Sequence, residues 1–210
     1  MSELVLYDYW RSSAAYRVRI ALALKDIPYR SIPINLLNSE QLGSDHRARN
    51  PLGLVPVLEF DGVPIAQSLA IIDWLDTRYP EPALMPADPL RRAQVLARAM
   101  TFISETHPLH NLRVITYLRN EMEQSPEAIQ RWMHRWIGAG LAAIEAVAPD
   151  HGLFGGDQPD LIDVCLVPQM YSARRFEVPL DAYPTLVRID AMLRNMPALS
   201  AAAPEAVKPA

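Results

Sequence analysis

The segment from Tyr79 to Pro89 contains four prolines, and it separates two parts of the chain that have different apolar patterns. Proline has no backbone N–H and a fixed φ, so such a segment cannot continue a helix and favours an extended connection. Before it, short apolar runs alternate with helical patterns, whereas nearly all of the chain after it has helical periodicity. We therefore predict an N-terminal domain over 1–80, a linker over 81–89 and an all-helical domain over 90–210.

The N-terminal part predicts a βαβ unit followed by a ββα unit. Pro33 would interrupt a central ladder, so the strand that contains it is expected at an edge of the sheet. Asp61 and Gly62 form a typical hairpin turn, which makes the strands on either side antiparallel. The predicted strands cover 4–7, 30–34, 57–60 and 63–65, and the predicted helices cover 13–25 and 68–79.

The C-terminal part carries helical patterns over 90–120, 126–148, 160–174 and 185–195. Asp160 and Asp163 form an acidic version of the N-cap and N3 pair that starts a helix. Pro168 is expected to kink or shorten the helix that follows them. Residues 201–210 lack a sustained apolar face, so we expect them to form a mobile tail.

The composition indicates a globular protein with small-molecule ligands. Its 210 residues, half of them hydrophobic, are enough to bury a substantial core. A formal net charge of −4 and scattered arginines argue against a nucleic-acid surface. No apolar stretch is long enough to span a bilayer, and Glu3 and Asp8 lie where a leader would be basic, so we expect no membrane partner and a cytoplasmic location.

Cys165 is the only cysteine in the sequence. An intrachain disulfide and a cysteine cluster for a metal are therefore excluded, and we predict no metal site. Because Val164 and Leu166 flank this cysteine, we predict a buried structural thiol rather than a nucleophile.

Ser12 and Ser13 lie where a predicted strand passes into a predicted helix. The free N–H groups and the positive end of the helix dipole favour an anion there, and a serine hydroxyl adds a further donor. The alternative is that one serine only caps the helix, as serine often does. From these residues alone, both interpretations stay open.

Two further segments carry similar signals. Pro56 stands at the start of a strand, so the backbone of Val55 could pair with an extended ligand, and a simple strand entry with a trans bond is the alternative. Gln67 and Ser68 directly precede a helix, where amide and hydroxyl donors suit a carboxylate. An ordinary helix cap is the alternative for Ser68.

The order and spacing of these motifs resemble the zeta class of the glutathione transferases. The resemblance runs from about Leu4 to the region of Met196. It is carried by Arg11-Ser12-Ser13 with Arg17-Val18-Arg19-Ile20-Ala21-Leu22, by Asn50-Pro51 with Val55-Pro56, by Gln67-Ser68-Leu69-Ala70-Ile71-Ile72, by His107-Pro108-Leu109-His110-Asn111-Leu112, by Leu166-Val167-Pro168-Gln169 and by Arg175-Phe176.

This resemblance implies a fold, a cofactor and an assembly. The fold is the glutathione transferase fold, which is α/β plus all-α. Its thioredoxin-like N-terminal domain binds glutathione, and its helical C-terminal domain supplies much of the pocket for the second substrate. The resemblance further implies a homodimer.

Site residues are carried over from the same resemblance, position by position. Ser12 and Ser13 match the serines beside the glutathione sulfur, and Val55 matches a backbone contact before a cis-proline. The remaining matches to glutathione-contacting positions are Gln67 and Ser68 at the γ-glutamyl site, then Gln41, His107 and Asn111. The candidates for binding substrate carboxylates, which guanidinium groups meet in bidentate fashion, are Arg11, Arg113 and Arg175.

Ala14 stands where eukaryotic members of the class commonly have cysteine. No protein thiol is therefore available in the motif, and the sulfur would come from glutathione itself. The implied reaction is the cis–trans isomerisation of a maleyl-substituted keto acid, maleylacetoacetate or maleylpyruvate, by reversible addition of the thiolate. Ser13, or otherwise Ser12, would donate to that thiolate, and Arg11 would assist with substrate charge.

Two other functions stay open. The same thiolate could attack a different electrophile, which would make the chain a conjugating or dehalogenating transferase that consumes glutathione. Loss of catalysis with Ala14 would instead leave a glutathione-binding protein without turnover. Product analysis separates the first alternative from an isomerase, and binding without turnover identifies the second.

Overall fold

The computed structural model describes residues 3–209, so Met1, Ser2 and Ala210 at the ends of the predicted domains lie outside the described residues. The described chain divides into two compact units. The first unit comprises the residues up to Ala83 together with those from Met196 onward, and the second is Leu84–Asn195. The boundary at Ala83 falls inside the predicted linker. No helix within 3–209 is both long and apolar enough to cross a bilayer.

A mixed four-stranded sheet forms the centre of the first unit. Strands β1 (Leu4–Asp8), β2 (Arg30–Pro33), β3 (Val57–Phe60) and β4 (Val63–Ala66) lie in the order β2-β1-β3-β4. β1 is parallel to β2 and antiparallel to β3, and β3 and β4 form an antiparallel hairpin. β1 is buried along its whole length, which suits its central position. The predicted edge position of the Pro33 strand and the predicted hairpin are both confirmed.

Five helices belong to the first unit: α1 (Ser13–Leu24), α2 (Ser44–Arg49), α3 (Ser68–Arg78), α9 (Pro197–Ala201) and α10 (Pro204–Val207). α1 and α3 correspond to the two predicted helices and pack against each other. α2 and the 3₁₀ turns at Leu36–Asn38 and Glu40–Leu42 were not predicted. Each is six residues or shorter, so none gives a recognisable apolar period.

The C-terminal segment differs from the predicted mobile tail. α9 packs against α1, and the side chains of Leu199 and Ala202 are buried. Arg19 Nε of α1 donates to the carbonyl oxygen of Ala202 at 3.0 Å. Two buried side chains and one hydrogen bond are enough to fix the segment, although they are too few to produce a periodic pattern in the sequence.

Helices make up most of the second unit: α4 (Pro89–Met100), α5 (Leu112–Asn120), α6 (Pro126–Glu145), α7 (Leu161–Arg175) and α8 (Pro184–Arg194). The helical pattern predicted over 90–120 is interrupted by a π-helical segment, Thr101–Thr106, and a 3₁₀ turn, His107–Leu109. Cys165 is fully buried, as predicted.

The start and the extent of α7 both match the pattern predicted over 160–174, whereas the shortening considered for Pro168 does not occur. Asp160 accepts from the backbone N–H groups of Ile162 and Asp163, and the Asp163 carboxylate accepts from the N–H of Asp160, which completes the predicted capping box. The helix nevertheless continues through Pro168 to Arg175. It is buried from Leu161 to Met170, and this tertiary packing offsets the hydrogen bond that proline cannot make.

Candidate active site

The two adjacent serines have different roles at the start of α1. Ser12 is the N-cap, because its Oγ accepts from the backbone N–H of Ala15 at 3.3 Å. Ser13 is the first residue of the helix, and its hydroxyl makes no hydrogen bond with any residue between 3 and 209. The capping alternative therefore holds for Ser12, while the Ser13 hydroxyl remains available to a ligand at the positive end of the helix dipole.

Arg11 brings a cationic side chain to the same turn. Its guanidinium carbon lies 4.8 Å from the centre of the Trp10 ring, within the range of a cation–π contact. Arg11 Nε is buried and has no hydrogen-bond partner in the described part of the chain. A buried donor without a partner costs free energy, so it is a good candidate for meeting a bound anion.

The peptide bond between Val55 and Pro56 is cis, the state that the sequence alone did not favour. The turn before it is fixed by two side chains that meet one carbonyl. His46 Nε2 and Asn50 Nδ2 both lie 2.9 Å from the carbonyl oxygen of Leu54. Sequence reasoning missed His46, which is buried in α2 and leaves no pattern of its own.

Gln67 and Ser68 occupy the start of α3 in an arrangement that differs from an ordinary cap. Gln67 holds the N-cap position with φ 74° and makes no capping bond through its side chain. A residue other than glycine with this φ is uncommon and often marks a functional position. Ser68 is the first helical residue, and its Oγ accepts from Arg17 Nη1 of α1 at 3.2 Å, so the capping alternative for Ser68 is wrong.

Gln41 lies in the 3₁₀ turn Glu40–Leu42 of the first unit. Its Oε1 is buried and accepts no hydrogen bond from the residues that the structure describes. Like Arg11 Nε, this atom is a polar group that a ligand could satisfy. The Ser13 hydroxyl, Arg11 Nε and Gln41 Oε1 of the first unit therefore make no hydrogen bond within the described residues. The bond from Arg17 to Ser68 joins α1 to the start of α3 in the same unit.

The predicted residues of the second unit lie around the π segment and the ends of two helices. His107 begins the 3₁₀ turn that follows the π segment, a kind of helical irregularity frequent at functional sites. Asn111 caps α5, since its Oδ1 accepts from the N–H of Val114 at 3.2 Å. Arg113 is exposed on α5, and Arg175 is exposed at the end of α7.

A buried histidine, which sequence reasoning did not single out, connects two of these predictions. The ring of His110 lies 5.5 Å from that of His107 and 6.1 Å from that of Phe176, both edge to face. The Arg175 guanidinium lies 4.8 Å from the Phe176 ring. His110 Nε2 also lies 3.4 Å from the Oε1 of Gln169, a fully buried residue. This packing orders the neighbourhood of His107 and Arg175.

Comparison with known proteins decides the family. A family model described as "Glutathione S-transferase, N-terminal domain" matches residues 11–78. A maleylacetoacetate isomerase of Pseudomonas aeruginosa is 46% identical over 205 residues, which cover 95% of each chain. The solved holo structure of a maleylpyruvate isomerase, described as a bacterial glutathione S-transferase in the zeta class, has a TM-score of 0.94 at 42% identity and covers 97% of this chain and 98% of its own. The chain belongs to the zeta class of the glutathione transferases.

Another similar solved structure contains informative ligands. The maleylacetoacetate isomerase of Anaeromyxobacter dehalogenans was crystallised with dicarboxyethyl glutathione and citrate in its active site. It is 44% identical to this transferase, with a TM-score of 0.87 and coverage of 99% and 97% of the two chains. The fold read from the sequence, a thioredoxin-like domain followed by a helical one, is therefore confirmed as that of the glutathione transferases.

Proposed function

We propose that this protein is a glutathione-dependent isomerase that converts maleylacetoacetate or maleylpyruvate to the fumaryl isomer. The observation that carries the proposal is the start of α1, where the Ser13 hydroxyl and, two residues before it, the buried Nε of Arg11 make no hydrogen bond within residues 3–209. Extensive identity to proteins named for this activity supports it. A helix start with a free hydroxyl and a nearby guanidinium suits anions. The anions available here are the two carboxylates of such a substrate, which arginine recognises, and the thiolate of glutathione.

The polar groups of the first unit fit glutathione. Its thiolate suits the Ser13 hydroxyl, and its carboxylates and amides suit the N-terminus of α3 and the orphaned Gln41 Oε1. Gln67 and Ser68 would hold the γ-glutamyl end. The Ser12 hydroxyl accepts from the N–H of Ala15 and can still donate a hydrogen bond to glutathione. The backbone of Val55, a half-buried residue, would pair with the backbone of glutathione.

Glutathione would supply a thiolate that adds reversibly to the substrate double bond and leaves after rotation about the resulting single bond. Ser13 would donate a hydrogen bond from its hydroxyl to the sulfur, and the dipole of α1 would favour the ionised form of the thiol. Arg11 would bind a substrate carboxylate and stabilise negative charge that develops on the keto acid. Ala14 contributes no thiol, so the chain itself needs only to bind, orient and stabilise charge.

The ligand of a relative is an analogue of the adduct that thiolate addition would form. Addition of a thiol across a butenedioate double bond gives a dicarboxyethyl thioether, and dicarboxyethyl glutathione is the compound found in the Anaeromyxobacter isomerase. His107 and Asn111 as glutathione contacts and Arg175 as a substrate contact remain predictions carried by the resemblance. Arg113 as a substrate contact remains a prediction from its spacing to His107 and Asn111. A homodimer in the cytoplasm also remains a prediction, which sedimentation of the purified protein and fractionation of cells would test.

The test is isomerisation of both substrates by the purified protein, with and without glutathione. We expect fumaryl product only with glutathione, and no net loss of glutathione. Ser13→Ala should lower kcat/KM about 10²-fold, the scale of losing one donor to a charged centre. Ser12→Ala is the comparison variant: if Ser13 is the donor to the thiolate, Ser12→Ala should lower kcat/KM less than Ser13→Ala does, and it should also lower stability through the lost cap. Activity without glutathione would overturn the proposal, and stoichiometric consumption of glutathione would indicate a conjugating transferase.

A further inference from the structure

Arg17 places a permanent positive charge inside the first unit, beside the start of α3. It lies in the second turn of α1 and is only 1% exposed. Its Nη1 donates to the Oγ of Ser68 at 3.2 Å, and Ser68 is 5% exposed at the first position of α3. An arginine remains protonated at any pH at which the protein is folded. The contact is therefore a charge-assisted hydrogen bond between two helices.

This contact fixes the role of the Ser68 hydroxyl. A guanidinium group has donors only, so the Ser68 oxygen must accept from Arg17. The hydroxyl proton is then the group that Ser68 offers outward, and no residue of the described chain accepts it. A hydroxyl that accepts from a cation is also polarised toward donation. Ser68 is thus set as a donor before any ligand arrives.

The electrostatics of α3 indicate the sign of the ligand. The N-terminus of a helix carries a partial positive charge, so a cation placed there is unfavourable by itself. A bound carboxylate reverses that balance, because it interacts favourably with the helix end and with the buried guanidinium at once. The low polarity around a buried charge strengthens this interaction relative to water.

We infer that Arg17 is a positioning residue for the α-carboxylate of the γ-glutamyl group, acting through Ser68 and through its charge without touching the ligand. The inference rests on the proposed function, because it takes glutathione as the ligand of the first unit. It assigns to Arg17 a share of glutathione affinity that is separate from the chemistry at Ser13.

The competing role for Arg17 is purely structural, as a link between α1 and α3. Two ligands separate the roles when their affinities are measured by calorimetry: glutathione, and its analogue in which the γ-glutamyl α-carboxylate is an amide. We expect Arg17→Gln to weaken glutathione binding about tenfold, the scale of one hydrogen bond to a charged group. Binding of the amide should change less than about twofold, because it lacks the charge that Arg17 serves. Equal losses for both ligands would overturn the inference.

The coupling between the two residues gives a second test. In a Ser68→Ala background, Arg17→Gln should weaken glutathione binding by less than its tenfold effect in the native protein, because one route of action has been removed. Arg17→Lys keeps the charge and should restore most of the affinity in the native background. If the double variant loses affinity by the product of the two single-variant factors, Arg17 does not act through Ser68.

Arg19 offers a matched control on the same helix. It is equally buried, but its donors go to Asp8 and to the carbonyls of Trp10 and Ala202. Arg19→Gln should lower the melting temperature, but it should not weaken the binding of glutathione more than that of the amide. Should Arg17→Gln fail to fold, Arg17→Met replaces it, because methionine keeps much of the side-chain volume without the charge. The inference then requires that the effect of Arg17→Met on glutathione affinity be smaller in the Ser68→Ala background than in the native protein.

The failure of this inference is distinguishable from that of the proposed function. A native protein that neither binds glutathione nor isomerises maleyl substrates would remove both. A native protein that does both, with Arg17 variants that retain full glutathione affinity and full discrimination against the amide, would leave the proposed function intact and remove only the role of Arg17.

Discussion

The carboxylate of Asp8 at the end of β1 and the guanidinium of Arg19 on α1 form a buried ion pair with an N–O distance of 2.7 Å. Burial raises the pKa of Asp8, and the charge of Arg19 opposes that rise. Because removing one partner leaves an uncompensated buried charge, Asp8→Asn should lower the free energy of unfolding by about 3–5 kcal/mol in urea titrations. Glu3→Gln, which breaks the exposed pair with Arg30, should have no measurable effect.

Deleting residues 197–210 should destabilise the first unit, contrary to what a mobile tail would do. The deletion removes the buried side chains of Leu199 and Ala202 and the carbonyl that accepts from Arg19. We expect a loss of about 2–4 kcal/mol in unfolding free energy from the lost burial and hydrogen bond. A shorter deletion of 208–210 keeps these contacts and serves as the control. Equal stability of the two truncated proteins would contradict the role of α9.

The close approach of α6 to the π segment predicts a size constraint at Gly140. A Cβ atom there would overlap the Thr106 hydroxyl, which donates to the carbonyl of Thr101 at 2.7 Å. Gly140→Ala should therefore cost about 1–3 kcal/mol despite the higher helix propensity of alanine.

A double variant tests the cause of that cost. Adding Thr106→Ala should recover part of the loss, because the overlapping atoms are removed. Gly138→Ala, whose Cβ would meet only the Tyr183 hydroxyl at 3.2 Å, is the control on the same helix. Additive losses in the double variant would show that the overlap does not limit residue 140.

The acidic capping box predicts a pH dependence of stability. Burial, and then the charge of Asp160, raises the pKa of Asp163 to about 7, although backbone N–H groups of Gly155, Asp160 and Phe154 oppose the rise. An unfolded chain releases this proton near its ordinary pKa of 3.8. Between those values the folded state binds the extra proton, so its stabilising contribution is complete below about pH 4 and is lost as the pH rises through 7.

The measurement compares the native protein with Asp163→Asn between pH 4.5 and 8. The native protein should lose unfolding free energy relative to the variant as the pH rises, because the amide does not titrate. The NMR signal of the Asp163 carboxyl carbon should change with a midpoint near 7. Parallel stability curves for the two proteins would rule out titration of Asp163 in this range.

Local chemistry predicted much of this molecule. Pro33 indicated an edge strand because a missing N–H is harmless there, and Asp61 with Gly62 indicated a hairpin through turn geometry alone. Asp160 and Asp163 indicated a helix start because all the bonds involved lie within three residues. Signals of this kind are complete within a short segment, so a single sequence contains them.

Contacts between distant residues were beyond such reasoning. Arg17 and Ser68 are 51 positions apart, and Arg19 and Ala202 are 183 apart, so neither pair leaves a periodic trace. The serine pair shows the same limit at short range. In the sequence, either serine could cap the helix or bind a ligand. Only the hydrogen bond from Ala15 to Ser12 shows that Ser12 is the cap.

The return of the C-terminal segment to the first unit has a consequence for biosynthesis. Residues 4–83 are synthesised more than a hundred residues before Ala202, so the Nε of Arg19 has no acceptor at Ala202 until the whole second unit has been translated. A nascent or prematurely terminated chain thus carries the complete sheet but an unfinished first unit. Correct closure of that unit therefore requires a chain that has been translated past Ala202.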